Sequence, residues 1–294
     1  LLCHMLHFLR KMNRGGAVLK TKTRKKLTFY ILLTLAALLW LGPLVMLFLS
    51  AIRSTTEFYT NLNLFTIPKV IKWSNFTDAW TKGNLGIYMK NGLLVSLVEV
   101  PLEVLFSSMC AFALTRLGVK HSNGIFIFIL VGMMLPRQMA LIPLNIMYST
   151  LGMTNTYFCL WFTYIGFGIP MGVLVFRGFF RAIPKEMDEA ANIDGCGKLR
   201  LYWSIIMPVA KPAVATMFIL DFLSTWNEFL LQSVLITKDT MKTVSNGLMS
   251  FIGEFSTDYG LLSAGVLVSI IPVLIIYLVF QRQFVEGMAG AVKA

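Results

Sequence analysis

The chain has 294 residues, of which 56% are hydrophobic and 14% charged, and its mean hydropathy is +0.72. A soluble domain carries about 25% charged residues and could not bury this much apolar surface, so the composition excludes a soluble protein and indicates a polytopic membrane protein. The net charge of +12 would suggest nucleic acid in a soluble protein, but in a membrane protein basic residues collect in cytoplasmic loops, so we expect no nucleic-acid partner.

The segment 1–26 is basic and irregular, and we expect it to be a cytoplasmic N-terminal segment outside the fold. Its origin is open between a cloning remnant and an upstream extension, with Met12 as the alternative start. Six apolar stretches follow, each close to the ~20 residues that a helix needs to cross the hydrocarbon core. Their approximate bounds are 27–52, 88–114, 124–147, 156–176, 209–236 and 261–280. The pattern predicts an all-α fold with six transmembrane helices over 27–283 and a cytoplasmic tail over 284–294.

The Lys and Arg residues predict the orientation of these helices in the membrane. With both termini in the cytoplasm, the cytoplasmic segments hold 18 of the 26 basic residues and the outer loops hold 7. Basic residues accumulate on the cytoplasmic side, so we expect both termini and the loop 178–208 to lie there. This loop is the long polar interruption of the apolar pattern, between the fourth and fifth spans.

The sequence of this loop predicts a short helix that ends at a glycine. Pro184 suits the first turn of a helix. Three acidic residues follow in the N-terminal half of this helix, where the helix dipole favours negative charge. Gly195 accepts the left-handed conformation that ends a helix. A second helix over about 198–206 leads into the fifth span.

The first loop helix carries a narrow apolar stripe. Ile183, Met187, Ala190 and Ala191 fall on one face at helical spacing, with charged residues beside them. Two alanines allow another surface to approach closely, and a helix of this size forms no domain of its own. We interpret the stripe as a docking surface for a soluble partner below the membrane.

The loop also contains a motif of defined spacing. Its residues are Glu189, Ala190, Ala191, Asp194, Gly195, Ile205, Met207 and Pro208. The motif resembles the EAA signature of permease subunits in binding-protein-dependent ABC importers, with Met207 in place of leucine as the only departure. Similarity to the maltose-type (MalG-like) carbohydrate permeases extends from about residue 28 to the C terminus. The stretches that carry it are IPLNIMYSTLGMTNTY at 142–157, RGFFRAIPKEMDEAA at 177–191, TWNEFL at 225–230 and FQRQFVEGMAGAVK at 280–293.

The resemblance implies a permease subunit in the bacterial cytoplasmic membrane that forms half of the translocation path for a sugar or oligosaccharide. The implied partners are a second MalF-like permease subunit, two copies of a cytoplasmic ABC ATPase, an extracytoplasmic solute-binding protein, the sugar substrate and membrane lipid. We expect the loop helix to sit in a groove of the ATPase and to switch the spans between inward-facing and outward-facing states. The implied coupling residues are Met187, Glu189, Ala190, Ala191, Asp194 and Gly195.

The sequence contains no motif for catalysis or for cofactor binding. GCGK at 195–198 has the wrong spacing for a phosphate-binding GxxxxGK[ST] loop, and no such loop occurs elsewhere in the chain. We therefore expect no catalytic residues and no cofactor, with ATP bound by the partner ATPase. No CxxC or HExxH pattern is present, so no metal site is predicted.

Polar residues within the third and fifth spans are the candidates for the substrate path. They are Arg137, Asp221, Trp226, Asn227, Glu228 and Gln232. Such residues are costly in a bilayer and usually face the bundle interior or a water-filled path. An aromatic ring beside hydrogen-bonding groups suits a sugar. Hydrogen bonding between helices, without any ligand, is the alternative interpretation.

Two acidic residues of the second span, Glu99 and Glu103, are unexpected for the maltose-type pattern. Glu99 and Arg137 both fall near the middle of their spans, which predicts an ion pair between them. In the other interpretation, Arg137 faces the translocation path and favours an acidic sugar such as a uronate. Gly168 and Gly172 have a spacing that allows close contact between helices.

Two other functions stay open at this point. A secondary transporter or channel could use the carboxyl groups of the second and fifth spans, with Arg137, as an ion path. An ABC permease for a solute other than a sugar is the nearest alternative within the family. A membrane enzyme would need a metal or nucleophile constellation, and the sequence contains none.

Overall fold

The computed structural model describes residues 19–61, 63, 65–252 and 257–291. Its helices are α1 (Leu19–Ala51), α2 (Thr55–Thr60), α3 (Ser74–Thr81), α4 (Leu85–Arg116), α5 (Ser122–Met134), α6 (Leu141–Thr150), α7 (Tyr157–Ala182), α8 (Glu186–Ile193), α9 (Lys198–Val209), α10 (Lys211–Trp226), α11 (Leu230–Leu235), α12 (Val244–Gly247) and α13 (Tyr259–Ala291). Over these residues the structure is helical apart from one isolated β-bridge between Ile252 and Thr257. The prediction of an all-α fold is confirmed.

The membrane-spanning helices agree with the predicted spans once two bends are recognised. Four helices are long and apolar enough to cross a membrane: Lys26–Ala51 within α1, α4, α7, and Tyr259–Val285 within α13. The third span is the pair α5 and Arg137–Thr150, bent by 82°. The fifth corresponds to the pair α9 and α10, bent by 77°, although α9 (Lys198–Val209) falls almost entirely in the predicted loop 178–208. Counting each bent pair as one span gives six.

The helical segments extend further than predicted at both ends of the chain. Residues 19–26 were expected to be irregular, yet the backbone is helical from Leu19 and runs directly into the first span. Lysine and leucine are good helix formers, and extending an existing helix avoids the cost of a new nucleus. The tail is helical as far as Ala291, where it likewise extends an existing helix. Residues 1–18 and 292–294 of the two predicted terminal segments lie outside the described residues.

The break in the third span has a local cause in the sequence. Leu135 precedes Pro136, and a proline disfavours the helical region for the residue before it. Leu135 accordingly adopts an extended conformation with ψ 121°, so α5 ends at Met134. The chain resumes as a 3₁₀ turn over Arg137–Ala140 that leads into α6. Arg137 therefore lies just after a corner and not in the middle of a straight helix.

The fifth span also ends earlier than predicted. α10 stops at Trp226, three residues follow without helical structure, and the short α11 begins at Leu230. The carboxylate of Glu228 accepts hydrogen bonds from the backbone N–H groups of Leu231 (2.9 Å) and Gln232 (3.0 Å). A side-chain acceptor at this position satisfies the free donors of a new helix, so Glu228 starts α11.

The contact between α4 and α7 depends on two small residues. A Cβ atom built at Gly168 would lie 2.7 Å from Cγ of Glu103, and one at Gly172 would overlap Glu103 and Ser107. The two glycines thus form a notch that receives the Glu103 side chain. Their spacing, which is weak as a sequence signal, marks a close contact between helices here.

Many large apolar side chains remain exposed on the outer helices. In the most apolar 18 residues of the α1 span no residue is buried by the rest of the chain, and Trp40 is 81% exposed. On α5 and α6, Phe128 and Ile142 are 79% and 73% exposed. Surfaces of this kind are compatible with lipid or with another membrane subunit, and not with water.

Candidate functional site

A cavity opens among α4, α7 and α10, next to the turn that follows α5. Its enclosed volume is about 10 Å³, roughly the space of one water molecule, and it is open at its mouth. Its walls are formed by Glu99, Arg137, Tyr164, Gly168, Asp221, Ser224, Thr225 and Glu228. We call it the α10 cavity, because that helix and the residues directly after it supply four of the side chains.

The spacing of residues along α10 explains why so many polar groups meet there. Asp221, Ser224 and Thr225 lie at positions i, i+3 and i+4, so they share one face of the helix. Glu228 follows the last turn on the same side. A single polar face of α10 therefore builds one wall of the α10 cavity.

Glu99 joins α4 to this polar face. It is 2% exposed, and its Oε2 accepts a hydrogen bond of 2.8 Å from the Thr225 hydroxyl group. A buried carboxyl group is stable only with such partners, so Thr225 holds the side chain at the wall of the cavity. Sequence analysis identified Glu99 and missed Thr225. Its position one turn after Asp221 in the sequence could have indicated that the two side chains share a helix face.

Glu103 lies one turn further along α4, behind the cavity wall. It is completely buried, and its carboxyl group contacts that of Asp221 and the Ser107 hydroxyl group. Two buried carboxyl groups in contact can share one proton, which pairs them with each other. The notch formed by Gly168 and Gly172 provides the space for the Glu103 side chain.

Arg137 reaches the cavity from the turn after α5. Its Nη1 donates a hydrogen bond of 3.3 Å to the Ser224 hydroxyl group, and its guanidinium lies 5.8 Å from the centre of the Phe167 ring. The predicted ion pair with Glu99 is wrong, since no contact within 4 Å joins these two residues. The prediction assumed two straight antiparallel helices, and the bend before Arg137 removes that alignment.

Tyr164 is a wall residue that sequence analysis did not identify. Its hydroxyl group donates to Oε2 of Glu228 at 3.1 Å, and the side chain is 7% exposed. Tyr164 precedes Gly168 by one turn on α7, so both face the cavity. The signal available in the sequence was a polar aromatic residue one turn before a glycine within an apolar span.

Three of the predicted path residues do not line the α10 cavity. Trp226 is 4% exposed, stacks on Phe222, and donates its N–H to the Ser269 carbonyl oxygen on α13 at 3.2 Å. Gln232 is completely buried and accepts a hydrogen bond from the Thr243 hydroxyl group. Asn227 is exposed, and its amide donates to the Leu223 carbonyl oxygen at the end of α10.

The structure places these three residues away from the cavity. The prediction treated 209–236 as one span, whereas α10 ends at Trp226 and the later residues follow a different course. Trp226 and Gln232 satisfy buried contacts between helices, which is the alternative that sequence analysis left open. Asp221, Glu228 and Arg137 are the predicted path residues that the structure brings together at the cavity.

A second candidate site lies in the loop between α7 and α9. The loop helix α8 runs over Glu186–Ile193, and Gly195 has φ +75°, the left-handed conformation expected for a helix end. The N–H groups of Asp194 and Cys196 donate to the carbonyl oxygens of Ala190 and Ala191. The predicted glycine stop is therefore confirmed, while the helix begins two residues after Pro184 instead of at it.

The orientation of α8 differs from the prediction. Ile183 and Ala191 are 6% and 4% exposed, and Met187 packs against the same core. The expected outward apolar stripe is thus wrong, because these side chains cover the apolar core of the chain itself. Glu189 and Ala190 face outward.

Two apolar side chains stand beside the glycine that ends α8. Ile193 is 87% exposed and Leu199 is 70% exposed. Asp194 and Gly195 between them are exposed as well. The outward surface of the loop therefore combines the acidic Glu189 with two apolar side chains, and sequence analysis did not select Ile193 or Leu199.

Arg116 connects the loop helix to the membrane-spanning part of the chain. Its Nη1 lies 2.7 Å from Oδ2 of Asp188, and its Nη2 donates to the carbonyl oxygens of Phe180 (2.6 Å) and Ile183 (2.7 Å). The side chain of Arg116 is 3% exposed and that of Asp188 is 15% exposed. One guanidinium thus joins the ends of α4 and α7 to α8, a role that the sequence showed only as a basic residue in the last turn of α4.

The acidic groups of the chain do not form a metal site in the described ranges. Among residues 19–61, 63, 65–252 and 257–291, no group of three or more His, Cys, Asp or Glu side chains could hold a metal ion. Glu99 accepts from the Thr225 hydroxyl group, and Glu228 accepts from the Tyr164 hydroxyl group and from a backbone N–H group. Asp221 contacts the carboxyl group of Glu103.

Comparison with known proteins identifies the family. Residues 103–288 match the family described as binding-protein-dependent transport system inner membrane component. The "Probable starch degradation products transport system permease protein AmyC" of Thermoanaerobacterium thermosulfurigenes is 34% identical over 275 residues, covering 93% of this chain and 99% of that protein. The diacetylchitobiose uptake system permease protein NgcG of Streptomyces coelicolor is 32% identical over 266 residues, covering 90% and 86%.

The fold has a counterpart among solved structures. A chain from the crystal structure of a bacterial ABC transporter involved in the import of the acidic polysaccharide alginate matches with a TM-score of 0.75 and 24% identity. The match covers 90% of this chain and 98% of that chain, and it concerns the fold alone. The chain belongs to the family of binding-protein-dependent transport system inner membrane components, the permease subunits of ABC importers.

Proposed function

We propose that this permease subunit forms half of the translocation path of a sugar importer. The observation that carries the proposal is the α10 cavity, where carboxyl and hydroxyl groups surround a space between membrane-spanning helices. Groups of this kind accept and donate the hydrogen bonds that sugar hydroxyl groups make. The relatives support the same class, since their names refer to starch degradation products and diacetylchitobiose.

The chain works with separate subunits in this proposal. A second MalF-like permease subunit completes the path, two copies of a cytoplasmic ATPase bind and hydrolyse ATP, and an extracytoplasmic solute-binding protein delivers the sugar. The exposed apolar faces of α1, α5 and α6 are compatible with lipid and with the second permease subunit. The chain lies in the bacterial cytoplasmic membrane with both termini and the loop helix on the cytoplasmic side.

The loop helix α8 couples the ATPase to the membrane helices. Its outward residues, Glu189, Ala190 and Ile193, dock in a groove of the ATPase, and Asp194 and Gly195 hold the end of the helix. Met187 and Ala191 take part from the inner side, where they fix α8 on the core of the chain.

Movement of α8 has a direct route to the cavity. The side chain of Arg116 binds Asp188 of α8. Arg116 is also the last residue of α4, the helix that carries Glu99. At 1.5 Å per residue, Glu99 lies about 25 Å from Arg116 along the same helix. A displacement of α8 therefore shifts a rigid element that forms part of the cavity wall, which is the domain movement that alternating access requires.

The two other functions are not favoured. Membership of the importer permease family accounts for the exposed loop helix. A secondary transporter or channel would not account for this helix. An importer for a solute other than a sugar would require the chain to differ from the relatives described above.

Sugar uptake in the native cell tests this function. We expect deletion of the gene to abolish uptake of at least one radiolabelled neutral oligosaccharide, tested among maltotriose, cellotriose, xylotriose and arabinotriose. Wild-type chain and the control variant Asp239→Asn, which changes an exposed outer residue, should restore that uptake. Unchanged uptake of every sugar in the deletion strain, with loss of amino-acid or peptide uptake, would contradict the sugar class.

A further inference from the structure

Large apolar side chains are exposed in the part of the chain that connects α1 with α4. We call residues 65–82 the connecting segment. Its exposed large apolar residues are Phe65, Ile67, Val70, Ile71, Trp73 and Trp80. Ile67 is 76% exposed and Val70 is 68% exposed, so the chain itself leaves both largely uncovered. An exposed apolar cluster of this kind marks a contact with lipid or with another protein.

Buried polar side chains anchor the connecting segment on its inner side. Arg53, which is 1% exposed, donates hydrogen bonds to three carbonyl oxygens of residues 61–66, at 3.2, 3.1 and 2.5 Å. The buried amide group of Asn75 donates to two carbonyl oxygens at and just after the end of α1, at 2.8 and 2.9 Å. These bonds fix the backbone, so the apolar side chains are presented in a defined direction.

The two tryptophans of the segment share one side of α3. Trp73 directly precedes the helix and Trp80 lies seven residues later, almost two full turns, so their side chains point the same way. Asn75 and Ala79 are buried on the other side. The Trp73 ring lies 6.2 Å from the ring of the exposed Phe48 on α1, measured between centroids. The exposed side of α3 is therefore continuous with the exposed apolar surface of α1.

The length of α1 places this surface near the edge of the membrane. The candidate span Lys26–Ala51 has 26 residues, which is about 39 Å of helix against a hydrocarbon core of about 30 Å. Its end therefore reaches the headgroup layer. The N–H group of Lys72 donates to the Ile52 carbonyl oxygen at 2.8 Å, so the connecting segment returns to this level. One span precedes this segment and four precede α8, so the two lie on opposite sides of the membrane.

The charges of the connecting segment are mostly basic. It contains Lys69, Lys72 and Lys82, and Asp78 is its only acidic residue. Lys82 forms an ion pair with Asp78 at 2.8 Å, whereas no carboxylate among the described residues lies within 4 Å of the Lys69 or Lys72 ammonium group. Lysine side chains beside an apolar surface can extend to the phosphate groups of lipids.

We propose that the connecting segment lies in the headgroup layer of the membrane, on the side opposite to α8, and binds anionic phospholipid. Trp73 and Trp80 face the ends of the acyl chains, and Lys69 and Lys72 contact lipid phosphate groups. Tryptophan is enriched at this depth because its ring is apolar and its N–H group is polar. The inference concerns a surface away from the substrate path and holds for any transported solute.

The solute-binding protein is the other candidate for this surface. It approaches from water, whereas the contact of Trp73 with Phe48 joins the surface to a helix that faces lipid. The two unpaired lysines beside the apolar side chains also complement a phosphate layer. Lipid therefore accounts for both the apolar and the basic part of the surface.

Site-specific photocrosslinking distinguishes these two partners. The importer complex, purified from the native cell, would be placed with its solute-binding protein in vesicles of three parts phosphatidylethanolamine to one part phosphatidylglycerol. The photoreactive residue p-benzoylphenylalanine would replace Val70, Trp80 or, as a control, Thr240. Thr240 is exposed, and its carbonyl oxygen is bound by Asn91 near the same end of α4. We expect adducts with the mass of one phospholipid at positions 70 and 80, at least fivefold more abundant than at position 240.

Two results would overturn the placement in lipid. They are crosslinks from positions 70 and 80 mainly to the solute-binding protein, and a lipid yield no higher than that at position 240. The elution volume in size-exclusion chromatography establishes that each labelled complex is folded. Positions 70 and 80 are independent, so either suffices if the other variant does not fold.

The lipid composition of the adducts tests the role of the lysines. We expect phosphatidylglycerol to exceed its share of the vesicle lipid at least twofold among the adducts at position 70. In the double variant Lys69→Gln with Lys72→Gln the proportion should fall to that share, while Lys238→Gln, which removes an exposed lysine after α11, should leave it unchanged. Absence of enrichment, or enrichment that survives the double variant, would show that the lysines do not bind anionic lipid.

Discussion

Arg116 is the residue whose contacts connect the loop helix with the membrane-spanning helices. Its guanidinium has three partners on two elements, Asp188 on α8 and the carbonyl oxygens of Phe180 and Ile183 at the end of α7. Charge-assisted hydrogen bonds of this kind are strong, and a planar guanidinium can serve several acceptors at fixed angles. Removing it leaves the partly buried carboxylate of Asp188 without its cation and takes one donor from each of the two carbonyl oxygens.

Replacing this guanidinium should uncouple ATP hydrolysis from transport. In Arg116→Ala we expect a loss of stability of about 3–5 kcal/mol, as for a broken buried pair, and in the milder Arg116→Lys a fall in sugar uptake per ATP hydrolysed of at least fivefold. The measurement is uptake and ATPase activity of the reconstituted complex. Lys120→Ala, which removes an exposed charge near the same helix end, serves as the control.

The exchange Arg116→Asp with Asp188→Arg gives a further check on this link. We expect it to fail to restore coupling, because an arginine at 188 no longer donates to the two carbonyl oxygens from the end of α4. Full restoration by the exchange would mean that the charge pair alone matters, and the proposed three-way connection would be wrong.

Individual residues were predicted with mixed success, and burial explains the difference. Asp221 and Glu228 were expected on the substrate path and line the cavity, since a polar group inside a membrane helix needs a polar surrounding. Trp226 and Gln232 fit the same rule but satisfy it through contacts with Ser269 and Thr243. The rule predicts that each polar side chain has a hydrogen-bond partner, but it does not identify that partner. For Trp226 and Gln232 the partners come from segments that are not predicted to be neighbours.

At the scale of elements, the contact of α4 with α7 depends on the absence of two side chains. Gly168 and Gly172 accommodate Glu103, whose carboxyl group has no other space in the tight contact between the helices. On the same helix, a Cβ atom at Gly166 would meet nothing within 4 Å. The chain therefore offers a matched pair of positions at which the same substitution has different consequences.

We expect Gly168→Ala to destabilise the protein by about 1–3 kcal/mol, the usual effect of overpacking a close contact. Gly166→Ala should be neutral or slightly stabilising, because alanine is the better helix former. Thermal denaturation of the complex in detergent measures both. The double variant Gly168→Ala with Glu103→Ala should regain part of the lost stability, and equal behaviour of the two glycine variants would contradict the proposed notch.

Hydropathy predicted the positions of the membrane spans better than it predicted their bends and breaks. The four straight spans lie within a few residues of their predicted bounds, apart from the longer ends of α7 and α13. The bend at Leu135–Pro136 was readable from the proline but was not predicted, and it invalidated the ion pair of Glu99 with Arg137. The break after Trp226 depends on the cap that Glu228 supplies to α11, and hydropathy contains no information on such a cap.

For the whole molecule, the loop motif was sufficient to predict the permease family. It was not sufficient to predict that the apolar stripe of the loop helix faces the core of the chain. The motif spacing reports which family the chain belongs to, and only the packed structure shows that Met187 and Ala191 cover the core while Ile193 and Leu199 stand free. The exposed apolar side chains of α1, α5 and α6 are compatible with lipid or with another membrane subunit.

We propose that a separate ATPase drives this chain through the outward face of α8. The most direct measurement is mass-spectrometric identification of the proteins that co-purify with wild type, Glu189→Lys and Ile193→Asp in mild detergent. We predict that wild type retains an ABC ATPase and a second permease subunit, and that both variants lose the ATPase and keep the permease subunit, since they alter only exposed side chains. Retention of the ATPase by both variants, or purification of the wild-type chain without any ATPase, would show that α8 is not the docking site.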